Sequence, residues 1–142
     1  MSAIDSAITR LQELSQQLST TIKRAPDKPI SDATTLPMSI AHLRSGRMRG
    51  GDATTNIQLH DIGVDFHLSR VSLRQAYTEA DAIVPEYMNI IAGDPTLGGA
   101  VDTVQLAEIT YTVQPAQWDS VTTLAVFFTI PVKVLAAPST SS

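Results

Sequence analysis

Apolar residues in this chain recur every third or fourth position, then every second, then repeat that whole cycle. In "SAIDSAITRLQELSQQLSTTIKR" (2–24), Ile4, Ile8, Leu11, Leu14 (or Ser15), Leu18 and Ile22 mark one face of an amphipathic helix. "MSIAHLR" (38–44) and "NIQLHDIGVDFHLS" (56–69) read as strands. From Ser72, Leu73, Tyr77, Ala80, Val84, Tyr87 and Ile91 return to helical spacing. "AVDTVQLAEITYTV" (100–113) and "VTTLAVFFTIPVKVL" (121–135) close with two more strands. The order α-β-β-α-β-β predicts an α+β fold: a four-stranded, mostly antiparallel sheet with two main helices packed on one face.

Local chemistry sharpens these bounds. Ser2 and Asp5 make a capping-box-like start for the first helix, and Lys23 and Arg24 suit its negative end. Ser72 and Gly93 are expected to cap the second helix, which Pro85 should kink or split. In 56–69 the apolar phase shifts from Ile57 and Leu59 to Ile62, Val64, Phe66 and Leu68, which predicts a β-bulge just before Gly63. Pro131 suits an edge strand or a bulge.

The 142 residues suit one domain, 1–142. The three prolines of 25–37 mark a connector. The glycines of "SGRMRGGDATT" (45–55) predict a flexible hairpin tip, "QPAQWDS" (114–120) a turn, and 136–142 a loose tail. There are no cysteines, which excludes disulfides and thiol catalysis. No stretch approaches the roughly 18 apolar residues of a membrane helix. The start carries no basic region followed by an apolar core, so a cytoplasmic site of synthesis is expected.

Catalytic signatures of phosphate-loop, serine-hydrolase or zinc-protease type are missing, and neither an enzyme nor a cofactor is expected. Asp61, Asp65 and His67, with His42 opposite, would share a face if the strand were unbroken, as metal ligands do. The polar side of a half-buried strand accounts for the same letters, and no metal is expected. Arg44, Arg47 and Arg49 form the one dense basic cluster, and Lys23, Arg24 and Lys28 a looser one. The arginines suit phosphates or an acidic partner, although the net charge of −4 opposes broad nucleic-acid binding.

The stretch "GDPTLGGAVDTV" (93–104) stops a helix and reverses the chain. Asp94 can accept backbone N–H groups, and Gly98 and Gly99 can take positive φ. This D-P-T-L-G-G turn, with Val101 and Asp102 just after it and the helix–hairpin–helix–hairpin layout around it, resembles the tail terminator and head–tail joining proteins of long-tailed bacteriophages. The resemblance covers most of the chain. It implies a structural virion protein, made in the host cytoplasm, that forms a homo-oligomeric six-membered ring at the head-proximal end of the tail tube. Such a ring ends tube polymerisation, presents a joining surface to the head-side connector protein, and lets DNA through its lumen without sequence-specific contact. A neighbouring neck connector is the alternative within that virion region. A small nucleic-acid-binding module is the alternative outside it. Candidate subunit or partner contacts are Arg44, Arg47 and Arg49 near the tip, and Asp94, Leu97, Gly98, Gly99 and Asp102 in the turn.

Overall fold

The structure, a computed structural model, describes residues 2–20, 22–24, 36–50, 56–118 and 121–136. Most of the 25–37 connector with Lys28, the 51–55 part of the tip, residues 119–120 of the expected turn, and the tail from 137 lie outside the described residues. The elements are α1 (Ala3–Ser15), β1 (Lys23–Arg24), β2 (Met38–Arg49), β3 (Asn56–Ser69), α2 (Leu73–Ala92), β4 (Thr103–Val104), a 3₁₀ turn (Leu106–Glu108), β5 (Thr110–Trp118) and β6 (Val121–Ala136).

The fold is α+β, with both helices over one face of an antiparallel sheet. Four long strands run β2-β3-β6-β5, and two short ones raise the expected count of four to six among the described residues. β1 adds a parallel pair to β2, and β4 shares with β5 the far side of β6. The expected 100–113 strand is broken by the 3₁₀ turn, and the expected 114–120 turn is strand as far as Trp118. Pro115 is tolerated there because, among the described residues, β5 pairs with β6 alone, leaving its other side as an edge.

The Ser2 hydroxyl caps α1 by accepting the Asp5 N–H at 3.1 Å. The helix stops at Ser15, well short of the expected residue 24. Beyond it the chain is tied to α2, where the Glu86 carboxylate accepts the Ser19 N–H and, at 2.9 Å, the Ser19 hydroxyl. Leu18 and Ile22 still enter the core, so their helical spacing reported burial without a helix. Lys23 and Arg24 are strand residues, well past the end of α1 at Ser15.

α2 is one uninterrupted helix: Pro85 does not split it. Ser72 accepts the Gln75 N–H at 3.4 Å, and the Gly93 N–H closes the last turn on Asn89 at 3.1 Å. Ala76, Ala80, Ile83, Tyr87 and Ile91 are buried, whereas Leu73 and Tyr77, placed on that face by their spacing, are each 45% exposed. Tyr87 sits edge-on to Phe66 and Phe128, with ring centroids 5.1 and 5.2 Å away. Burial pushes its hydroxyl pKa far up, and the proton is donated to the Leu11 carbonyl of α1 at 3.0 Å. Each such buried side chain contributes roughly 1.5–3 kcal/mol, so this cluster outweighs any single cap in fixing the helices.

The bulge lies on the strand opposite the expected one. β3 pairs with β6 without a break, and the register shift falls in β2 between Leu43 and Ser45. The two apolar phases of β3 therefore serve opposite faces. Ile62, Val64, Phe66 and Leu68 meet the helices, while Ile57 and Leu59 line a cavity on the other face. Pro131 lies in an interior strand, not at an edge. Its carbonyl accepts the Gln105 N–H at 2.8 Å, and its missing N–H falls on the same side, in the gap between β4 and β5.

Candidate contact surfaces

The 93–104 segment is organised by Asp94. One carboxylate oxygen accepts the Gly98 N–H at 3.0 Å and the other accepts Arg10 Nε of α1 at 2.7 Å. Those two bonds, Arg10 first, hold the Asp94 carboxyl below its ordinary pKa. Arg10 also reaches Glu13 at 3.3 Å, and its guanidinium pKa is raised by Asp94 and then Glu13. Leu97, Gly98 and Gly99 all take positive φ, at 51°, 69° and 86°. Leu97 bears that strain because its side chain is buried in the core. Both glycines stay exposed, and an added Cβ at Gly99 would meet nothing within 4 Å, so its backbone angle alone demands glycine. The exit is fastened by the Val104 N–H on the Pro95 carbonyl at 2.7 Å and by the Asp102 N–H on Lys133 at 3.0 Å. The Asp102 carboxylate accepts the Leu135 N–H at 2.5 Å. An open depression of about 520 Å³ joins Gly98 and Gly99 to Ser6, Thr9 and Arg10 of α1.

The arginine cluster divides. Arg44, at the β2 bulge, lies flat across Gly63, where an added Cβ would sit 2.6 Å from its guanidinium. It donates to Asp65 at 2.8 Å, to the Thr129 hydroxyl at 2.6 Å and to the Phe128 carbonyl at 3.3 Å. It thereby cross-links β2, β3 and β6. Arg47 and Arg49 sit within β2, paired with Leu59 and Ile57, so the expected hairpin tip is strand as far as Arg49. Both are exposed and make no ion pair among the described residues. With Lys133 they rim a cavity of about 300 Å³ floored by Ile57, Leu59 and Pro131, which Asp61 and Glu108 also line.

The polar residues considered as metal ligands do lie on the sheet face away from the helices, and the unbroken β3 keeps Asp61 in line with Asp65 and His67. Asp65 accepts from His42 Nε2 at 2.9 Å as well as from Arg44. Asp61 accepts the Ser45 hydroxyl at 2.9 Å, and His67 Nδ1 is hydrogen-bonded to Thr123 at 2.8 Å. Burial lowers the His67 pKa, against the opposing pull of the Asp65 charge.

Two features were not visible in the sequence. Gln12, buried on α1, donates to the Ser39 hydroxyl at 2.7 Å and accepts the Ala41 N–H at 3.0 Å, covering the outer edge of β2 where β1 ends. Tyr77, Val84 and Pro85 of α2 form a groove of about 340 Å³ with Tyr111 and Val113 of β5. Its one sequence signal was the helical spacing of Tyr77 and Val84, which reads equally as core.

No protein-family model matches this chain, and no curated protein matches it.

Proposed function

We propose that the chain is a structural subunit of a ring at the head-proximal end of a bacteriophage tail tube, ending tube growth and joining the head-side connector. The observation that carries this reading is the 93–104 turn. It resembles the corresponding turn of tail terminators, and here it is a braced surface feature: Asp94 locks it to α1, Leu97 anchors it in the core, and Gly98 and Gly99 stay exposed. An exposed, rigid backbone loses little entropy when a neighbour packs on it. The tube and the connector are then the partners on the two sides of the ring, and DNA passes through the lumen.

Native mass spectrometry of concentrated protein, with negative-stain imaging, tests the ring, and addition to purified tail tubes tests capping. Closed rings, six-membered above all, and tubes that stop elongating are the expected results. A chain that neither forms rings nor caps tubes at any concentration overturns the reading. Within it, Gly98→Val with Gly99→Val should abolish capping, because both positions need positive φ.

A further inference from the structure

The sheet ends in two unlike edges. Beyond Ser39, no strand among the described residues covers the outer side of β2, and none covers the outer side of β5. Each edge carries apolar surface on the helix-bearing face. On β2, Leu43 pairs with the core residue Ile62 and Met48 with Gln58, yet the two are 51% and 66% exposed. On β5, Tyr111 and Val113 pair with the core residues Phe128 and Val126 and border the groove under α2, where Tyr77 and Tyr111 are nearly half exposed. Exposed tyrosines beside a concave apolar surface are a common interface composition.

Charge separates the two edges as well. Arg44 of β2 is neutralised by Asp65, which leaves Arg47 and Arg49 exposed toward the outer end of the strand on the face away from the helices, whereas α2 and β5 together carry three acids and one arginine. Asp81 lines the groove itself. Two β2 edges would set Arg47 and Arg49 against their own copies, and two grooves would set Asp81 against its copy, whereas the unlike pairing avoids both.

We propose that a second copy of this chain is the occupant of the groove: Leu43 and Met48 of one subunit seat against Tyr77, Val84, Tyr111 and Val113 of the next. Extending the sheet edge to edge keeps the helix-bearing face on one side, which brings these apolar groups together. Because the contact joins opposite edges, it is head-to-tail and repeats, and it closes into a ring when the rotation per subunit allows. The proposal rests on the ring reading above and assigns that ring its subunit contact.

Two half-blocked chains test it. Variant one carries Leu43→Asp and Met48→Asp and keeps the groove. Variant two carries Tyr77→Asp and Tyr111→Asp and keeps the β2 edge. Self-association is read by native mass spectrometry, with circular dichroism and Tm as folding controls. Where Tyr111→Asp lowers Tm, Tyr77→Asp alone replaces it, since Tyr77 lies on the outer surface of a helix. Each variant alone should self-associate at least about thirtyfold more weakly than the parent chain, the effect of losing one hot spot. Mixed, they should form a 1:1 heterodimer that grows no further, because one good groove meets one good edge. A variant that dimerises by itself would show a like-with-like contact and overturn the proposal. Unimpaired rings from both variants would overturn this surface while leaving the ring standing. A parent chain that stays monomeric, with no heterodimer from the mixture, would remove both.

Discussion

Asp94 serves two elements at once, holding the Gly98 amide of its own turn and the Arg10 side chain of α1. Its lowered pKa has a sign. The stabilisation is complete above the ordinary carboxylate value of about 4 and is lost as pH falls through the lower folded value. Asp94→Asn should therefore unfold at a lower temperature at neutral pH, and its Tm should converge on the parent's as both are acidified. His67 contributes its own loss below about pH 6.5, because burial disfavours the imidazolium, but that loss is common to both chains and cancels in the difference. A gap between the curves that stays constant down to pH 2 would show that the carboxylate charge is not what matters. A second residue-scale prediction concerns Gly63. Gly63→Ala puts a methyl where the Arg44 guanidinium lies and should cost up to about 1 kcal/mol in chemical denaturation, as the exposed side chain swings away and loses its hydrogen bonds to Asp65 and Thr129. In an Arg44→Ala background the same change should cost much less. The sequence could announce Asp94, because an acid before a Pro and two glycines has local work to do. It could not announce Arg10, which lies 84 residues away along the chain, or the use of Gly63, which depends on a neighbouring strand's bulge.

Elements were legible where their signals were local. α2 begins and ends where Ser72 and Gly93 place it, because caps act within one turn. The end of α1 was hidden, because Leu18 and Ile22 keep helical spacing while reaching the core from a non-helical path. The β2 bulge was hidden for a related reason. A strand with apolar residues on both faces shows the same phase change as a bulged one, and the unbroken pairing of β3 with β6 tells them apart. Pro85 poses the question in energetic form. Proline in a helix interior removes a hydrogen bond and costs up to about 3 kcal/mol against alanine, yet α2 carries it on an exposed side. Pro85→Ala should therefore raise the unfolding free energy by about 1–3 kcal/mol. Pro85 also lines the groove proposed to hold a second copy, so the same variant should associate more weakly while being more stable. Gains in both stability and association would mean that the proline has no part in the contact.

At the scale of the molecule, the fold class followed from the order of hydrophobic periods, since two helices and two strand pairs have few ways to bury one face each. The edges of the sheet did not follow, because which strand lies outermost depends on pairings between residues far apart in sequence. Those edges decide how the molecule meets others. The proposed head-to-tail contact has an electrostatic part, the longer-range attraction of the exposed Arg47 and Arg49 for the acidic α2 of the next subunit, and an apolar part, Leu43 and Met48 against Tyr77 and Tyr111. The two parts respond differently to salt. Exposed charges more than about 8 Å apart are largely screened at physiological ionic strength, whereas apolar burial is not weakened by added salt. Association of the parent chain should thus weaken only a few-fold between about 50 mM and 500 mM sodium chloride, with the loss in the association rate, where steering acts. Arg47→Gln with Arg49→Gln should flatten that salt dependence while leaving high-salt affinity close to the parent's. Tyr77→Ser should lower affinity equally at every salt concentration. An association that strengthens steadily with salt and ignores the arginines would assign the contact to apolar burial alone and remove charge from the choice of partner edge.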